Sequence, residues 1–164
     1  MSIKGSAHVY GDDINTDVII PGKYTKTLNM QDLAVHCLED LDPDFVKKVQ
    51  KGDILVAGRN FGCGSSREQA PLALQTAGVS AVLASSFARV FFRNAINLGL
   101  PLIICDTSSI KTGDQISIDL ELGEVLVNDA DKITFSPLPS IMQEILIEGG
   151  LVKYLRKNGD FILK

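Results

Sequence analysis

The order of apolar and polar residues along the chain predicts short strands and helices. Residues 3–10 partly alternate, as a half-buried strand does, and Gly11-Asp12-Asp13 then indicates a turn. The apolar run 18–20 is closed by a second turn at Pro21-Gly22. Residues 28–38 have helical spacing, with Leu28, Leu33 and Leu38 predicted to face inward, and Asp42-Pro43 ends this segment.

The middle of the chain alternates apolar strands with helices. Strands are predicted at 53–57, 80–84 and 101–105, and helices at about 66–76 and 87–97, with Gly78 and Gly99 as their stops. Strands that alternate with helices through short links imply parallel pairing and right-handed crossovers.

After Gly113 the pattern is typical of antiparallel strands, at 115–120, 124–127 and 132–135. Helices at 139–147 and 151–157, separated by Gly149-Gly150, close the chain. We find no internal boundary, and we therefore expect one α/β domain, residues 1–164, with a parallel central unit and antiparallel flanking strands.

Composition and charge narrow the classes of function. The 164 residues carry a formal charge of −4, which argues against nucleic acid but leaves a small anionic ligand open. Apolar stretches are too short to span a membrane, and the first nine residues lack an apolar signal core, so we expect a cytoplasmic protein. Cys37, Cys63 and Cys105 form no CxxC pair, so no metal site is predicted here, and Cys37 and Cys105 are predicted to pack in the core.

The chemistry-bearing segment is residues 59–69, which join a strand to a helix. Gly62 and Gly64 permit unusual torsions and a close backbone approach. Ser65, Ser66 and Arg67 follow at the predicted helix start, where free N–H groups favour an anion and a guanidinium grips a carboxylate through two hydrogen bonds. The pattern favours a carboxylate-binding site.

Three other interpretations of this segment exist. Ser65-x-x-Glu68 and Ser66-x-x-Gln69 each fit a capping box, although one cap is sufficient and the second serine and Arg67 remain in excess. Cys63 is a possible nucleophile, but no histidine lies near it in sequence, and we interpret it as a loop-lining residue. A phosphate cradle is disfavoured because the Walker lysine and the third glycine of the dinucleotide motif are missing.

The segment 60–68 (NFGCGSSRE) resembles the signature of the aconitase swivelling domain. The resemblance is to its free-standing form in small subunits of 3-isopropylmalate dehydratase and homoaconitase. Residues 15–21 (NTDVIIP), 86–99 (SFARVFFRNAINLG) and 148–151 (EGGL) are similar to three further family motifs. The resemblance covers nearly the whole chain, and it implies a three-layer β/β/α swivelling domain.

The resemblance also implies roles for individual residues. Ser65 matches the catalytic base, Asp17 a supporting active-site acid, and Ser66, Arg67 and Gly64 the substrate-binding turn. It implies a hydro-lyase of leucine biosynthesis that is active only with a large subunit, which would hold a [4Fe–4S] cluster whose iron assists the departing hydroxyl. The substrate would be a small hydroxy acid with two or three carboxylates.

Substrate choice is predicted to depend on the loop Tyr24-Thr25-Lys26-Thr27. The family's isopropylmalate enzymes have Tyr-Leu-Val-Tyr there and some homoaconitases Tyr-Leu-Arg-Thr, and this chain fits neither. Lys26 falls where the homoaconitase arginine would be, so homoaconitate and a methylated malate stay open beside isopropylmalate. An anion-binding module that acts alone and a Cys63-based enzyme are the alternatives from other classes.

Overall fold

The structure is a computed structural model that describes residues 1–27 and 29–160. Its strands are β1 Ser2–Val9, β2 Ile54–Val56, β3 Ala81–Ala84, β4 Leu102–Ile104, β5 Gln115–Asp119, β6 Glu124–Val127 and β7 Asp131–Thr134. Its helices are α1 Thr16–Ile19, α2 Met30–Val35, α3 Phe45–Lys48, α4 Gln69–Ala77, α5 Arg89–Asn97, α6 Ser140–Ile147 and α7 Leu151–Asn158, with a 3₁₀ turn at Gly22–Tyr24. Within these described ranges, none of the helices has the length and apolar character needed to cross a membrane.

These strands form one mixed sheet in the order β4-β3-β2-β1-β5-β6-β7. The strands β1 to β4 are parallel, and Ala7 of β1 lies opposite Ile54 of β2. Strand β1 also pairs antiparallel with β5, where Ile3 lies opposite Ile118. Strands β6 and β7 extend the antiparallel half. The predicted parallel unit and antiparallel additions are confirmed, and β1 is the strand that belongs to both.

The sheet curls so that its two halves share one apolar core. Ile54 and Leu83 of the parallel half pack in the same cluster as Ile118 and Val125 of the antiparallel half. A second cluster lies on the other face of the parallel half, where Leu55 and Val82 meet side chains of α1, α2, α4 and α5. Two β layers and one helical layer result, which is the β/β/α arrangement expected, and burial of these aliphatic side chains is the main driving force.

Two local predictions need correction, and one apolar run to which the sequence pattern assigns no element is mostly helical. Helix α4 begins at Gln69 rather than near Ser66, which leaves residues 60–68 as an extended turn. The apolar run 18–20 belongs mostly to the helical turn α1, because the Asn15 side chain accepts a hydrogen bond from the Val18 backbone N–H at 2.9 Å. Helix α2 covers only the middle of the predicted 28–38 segment; Leu33 and Leu38 are buried as predicted, and Leu28 lies outside the described residues.

Candidate active site

The serine-bearing turn lies where the parallel strands end. The loops after β1, β2 and β3 meet at this edge, the position at which open α/β sheets bind ligands. The Gly62 N–H donates to the Ile14 carbonyl at 2.7 Å, and the Thr16 N–H donates to the Cys63 carbonyl at 2.9 Å. These backbone bonds join the beginning of the 15–21 motif, with the residue just before it, to the segment 60–68.

Two glycines allow the turn to take this path. Gly62 and Gly64 have φ values of +82° and +92°, which confirms the unusual torsions expected of them. A Cβ added at Gly62 would overlap the Phe91 ring of α5. The turn can therefore pack directly on α5 only because Gly62 lacks a side chain.

Ser65 is fixed through its backbone, and its hydroxyl remains free. The buried Thr16 hydroxyl donates to the Ser65 carbonyl at 2.7 Å. The Ser65 and Ser66 side chains are exposed, and neither makes a side-chain hydrogen bond within the described part of the chain. Glu68, not a serine, occupies the N-cap of α4, and it makes no side-chain cap bond. The capping-box interpretation is therefore wrong, and both hydroxyls are available for other chemistry.

Arg67 links the turn to α1 and carries one unused donor. Its Nη2 lies 2.8 Å from Asp17 Oδ1, in an ion pair whose arginine side chain is 24% exposed and whose aspartate is 59% exposed. Its Nη1 is buried and has no hydrogen-bond partner among the described residues. A Cβ added to Gly22 would lie only 2.6 Å from this Nη1, so the 3₁₀ turn packs against the guanidinium. A buried donor without a partner costs about 1–3 kcal/mol, which an incoming acceptor can recover.

Lys26 lies on the segment that follows this 3₁₀ turn. The carbonyl of the preceding Thr25 accepts a hydrogen bond from Gln69 Nε2 at 3.4 Å, at the first residue of α4. The Lys26 side chain is exposed and forms no ion pair within residues 1–27 and 29–160. The structure thus brings Asp17, Ser65, Ser66 and Arg67 together, with Lys26 on an adjacent exposed segment.

Three residues have a positioning role that the sequence does not predict. Thr16 holds Ser65, Gly22 covers Arg67, and Gln69 tethers the loop that carries Lys26. Thr16 lies within the motif at 15–21, but no neighbouring residue in the sequence indicates that its hydroxyl bonds to Ser65, 49 positions away. Gly22 was recognised only as a turn residue.

The cysteines and histidines do not form a second catalytic group. Burial raises the pKa of the Cys37 thiol to about 12, and burial together with Asp106 raises that of Cys105 to about 11. Both side chains are buried, which confirms their predicted packing role. His8 bonds to Asp53 and His36 to Glu39, each at 2.7 Å, and neither is hydrogen-bonded to Cys63. In the part of the chain that the structure describes, no group of three or more His, Cys, Asp or Glu side chains is arranged to hold a metal ion.

Comparison with known proteins agrees with this geometry. Residues 9–106 match the Aconitase C-terminal domain family. The chain is 56% identical to the 3-isopropylmalate dehydratase small subunit 2 of Archaeoglobus fulgidus, over 98% of each chain. It is 52% identical to the methanogen homoaconitase small subunit of Methanocaldococcus jannaschii, over 96% of this chain and 94% of the other.

A solved structure shows the same fold. The crystal structure of a 3-isopropylmalate dehydratase from Methanocaldococcus jannaschii superimposes with a TM-score of 0.93 at 51% identity, covering 97% of this chain and 96% of that one. The α/β class and the curled mixed sheet are therefore confirmed. The chain belongs to the aconitase C-terminal domain family, among proteins of the dehydratase small-subunit type.

Proposed function

We propose that this chain is the small subunit of a 3-isopropylmalate dehydratase, a hydro-lyase that interconverts 2- and 3-isopropylmalate by dehydration and rehydration. Near full-length identity of 56% to a small subunit of that name carries the proposal. The free Ser65 hydroxyl beside Arg67, whose Nη1 has no partner in the described chain, supports it independently.

Arg67 is proposed to bind a substrate carboxylate. Asp17 already holds Nη2, so the unpartnered Nη1 is the donor that a ligand would take. Because Nη1 is covered by Gly22, either the 3₁₀ turn or the guanidinium must shift as the substrate arrives. Ser66 and the Gly64 backbone, both exposed beside Arg67, complete the proposed binding turn.

Ser65 is proposed to exchange the proton on the substrate carbon. A serine hydroxyl is a poor base in water, and the hydrogen beside a carboxylate is only weakly acidic. The proton transfer therefore requires that the alkoxide and the developing carbanion be stabilised by fixed donors and positive charge. Thr16 fixes the Ser65 backbone, and Asp17 holds Nη2 of Arg67, so the serine and the positive charge lie on one turn before the substrate binds.

The rest of the reaction is proposed to depend on a large subunit. Among the described residues, no group of three or more His, Cys, Asp or Glu side chains is arranged to hold a metal ion. We propose that the large subunit holds a [4Fe–4S] cluster that supplies Lewis-acid assistance. The names of the relatives, which are small subunits, support such a division.

The test is to assemble this chain with a cluster-reconstituted large subunit of 3-isopropylmalate dehydratase and to measure the turnover of substrate by the complex. We expect no turnover by either subunit alone and turnover of isopropylmalate by the complex, assayed with a panel of 2-alkylmalates and homoaconitate. An anion-binding module that acts alone would gain no turnover with any of these substrates, and that result would refute the proposal.

Homoaconitate is a second candidate substrate. Lys26 stands exposed beside the site, and the homoaconitase small subunit of Methanocaldococcus jannaschii is 52% identical to this chain. An ammonium group could bind the additional carboxylate of homoaconitate through a charge-assisted hydrogen bond. An isopropyl group would gain nothing from it.

Lys26→Ala tests whether this side chain recognises the substrate. If it does, losing the charged hydrogen bond should cost about 2 kcal/mol, or roughly a 30-fold fall in kcat/KM for homoaconitate. The value for isopropylmalate should stay within about twofold, because no bond to its side chain is lost. The measurement is the ratio of the two specificity constants with the same large subunit.

Lys23→Ala is the matched control, because Lys23 is exposed on the 3₁₀ turn just before this loop and its Nζ lies over the Tyr24 ring, 5.1 Å from the centroid. That change should leave the ratio where it is in the wild type. A ratio that is also unchanged in Lys26→Ala would remove Lys26 from substrate recognition.

A further inference from the structure

An apolar groove of about 550 Å³ runs between α5 and α6 and reaches the edge strand β4. Its walls include Phe92, Ile96, Ile104, Ile141 and Met142. Ile104 is 54% exposed, although it lies in a strand that otherwise packs in the core. A concave surface lined mainly by apolar side chains is a common form of binding site.

The groove has positive charge along one wall. Arg89 and Arg93 both line it, and they lie one helical turn apart on α5. Both side chains are exposed, and neither forms an ion pair with any residue that the structure describes. Arg89 is also the first residue of α5, where the helix dipole adds positive potential. An occupant that combines apolar side chains with acidic ones would match this surface.

The groove begins next to the serine turn. Phe87 lines it and packs against Phe61, with ring centroids 6.0 Å apart, and the Phe61 backbone forms an isolated bridge with Phe87. Phe61 directly precedes the Gly62–Ser65 segment of the proposed site. Phe61 is buried, so it joins the two regions from beneath, and a protein that covers Ser65 has the near end of the groove close by.

We infer that this groove is the docking site for the large subunit, through an amphipathic segment with acidic side chains along one edge. The inference rests on the proposed function, which requires a partner facing Ser65. A second copy of this chain fits less well, because a two-fold contact through the groove would place the arginines of both copies in one interface without acidic groove residues to balance them. None of the acidic residues that the structure describes lines the groove.

The test is the affinity of the small subunit for the cluster-reconstituted large subunit, measured by calorimetry. Arg93→Glu and Ile104→Glu each place a negative charge in the groove, and each should raise Kd at least about tenfold. Arg156→Glu on α7 and Leu122→Glu on the β5–β6 turn are the controls, because both are exposed and neither lines the groove. The controls should stay within about twofold of the wild type.

Turnover and self-association are measured with the same variants. At saturating large subunit, the groove variants should regain nearly wild-type kcat, since neither residue belongs to the proposed catalytic turn. An unchanged Kd for both groove variants beside normal turnover would overturn the docking site and leave the function standing. If Kd is raised in the groove variants but the wild-type complex turns over none of the substrates, the proposed function is refuted and the docking site stands. Sedimentation distinguishes a second copy as the occupant. If the wild type is a dimer, Arg93→Glu dissociates it and Kd for the large subunit is unchanged, the groove binds a second copy instead.

Discussion

Ser65→Ala should lower the turnover of the assembled enzyme by about 10³-fold or more, because it removes the proposed proton acceptor from the substrate carbon. Folding should be preserved, since the Ser65 hydroxyl is exposed and caps no helix. The bond from Thr16 goes to the Ser65 carbonyl, which alanine retains. The free energy of unfolding should therefore change by no more than about 0.5 kcal/mol.

The measurements are kcat with saturating large subunit, chemical denaturation of the isolated chain, and the affinity of the two subunits. Ser85→Ala is the matched control, because Ser85 is also exposed and lies just after β3, on the neighbouring loop. Its turnover should equal that of the wild type. Near-normal turnover in Ser65→Ala would show that another group moves the proton.

Arg67→Lys should lower kcat/KM by about 10²-fold, with both a higher KM and a lower kcat. The guanidinium holds Asp17 through Nη2 and offers Nη1 from a fixed plane, whereas an ammonium group is a single point charge. If a lysine at this position binds Asp17, the substrate carboxylate is left with a poorly oriented donor. The loss should appear with isopropylmalate and with homoaconitate alike, because both carry the carboxylate next to the reacting carbon.

Arg59→Lys is the control for this change, since Arg59 lies on the same turn, is 71% exposed and has its Nη2 3.7 Å from Asp12 Oδ2. An exposed pair of that kind contributes little, so its kinetics should match the wild type. If kcat/KM were the same in Arg67→Lys as in the wild type, Arg67 would have no part in carboxylate binding, and the unpartnered Nη1 would need another explanation.

Much of the fold was predictable because its middle follows local rules. The apolar runs at β2, β3 and β4 are short and continuous, as buried parallel strands are, and glycines end the helices between them. Parallel pairing then follows from chain connectivity alone. The alternation after Gly113 likewise predicted strands β5 to β7, whose antiparallel pairing needs only short turns.

Local sequence patterns did not determine the structure where one pattern fits more than one local conformation. Ser65-x-x-Glu68 fits a capping box, yet the helix begins at Gln69 because Gly62, Gly64 and the contacts with α1 hold the preceding residues in an extended turn. The run Val18-Ile19-Ile20 could equally have been a strand. Asn15, by capping α1, made it helical.

The sequence alone determined that a glycine-flanked pair of serines and an arginine stand together on a turn after a buried strand, and that the chain has the aconitase-type pattern. Only the tertiary structure decided which distant residues meet them. Thr16 reaches Ser65 and Asp17 reaches Arg67 because β1 pairs in parallel with β2, which brings the loops after both strands to one edge of the sheet. Such contacts depend on the pairing of strands far apart in sequence, and a local pattern of residue types does not specify which distant strands pair.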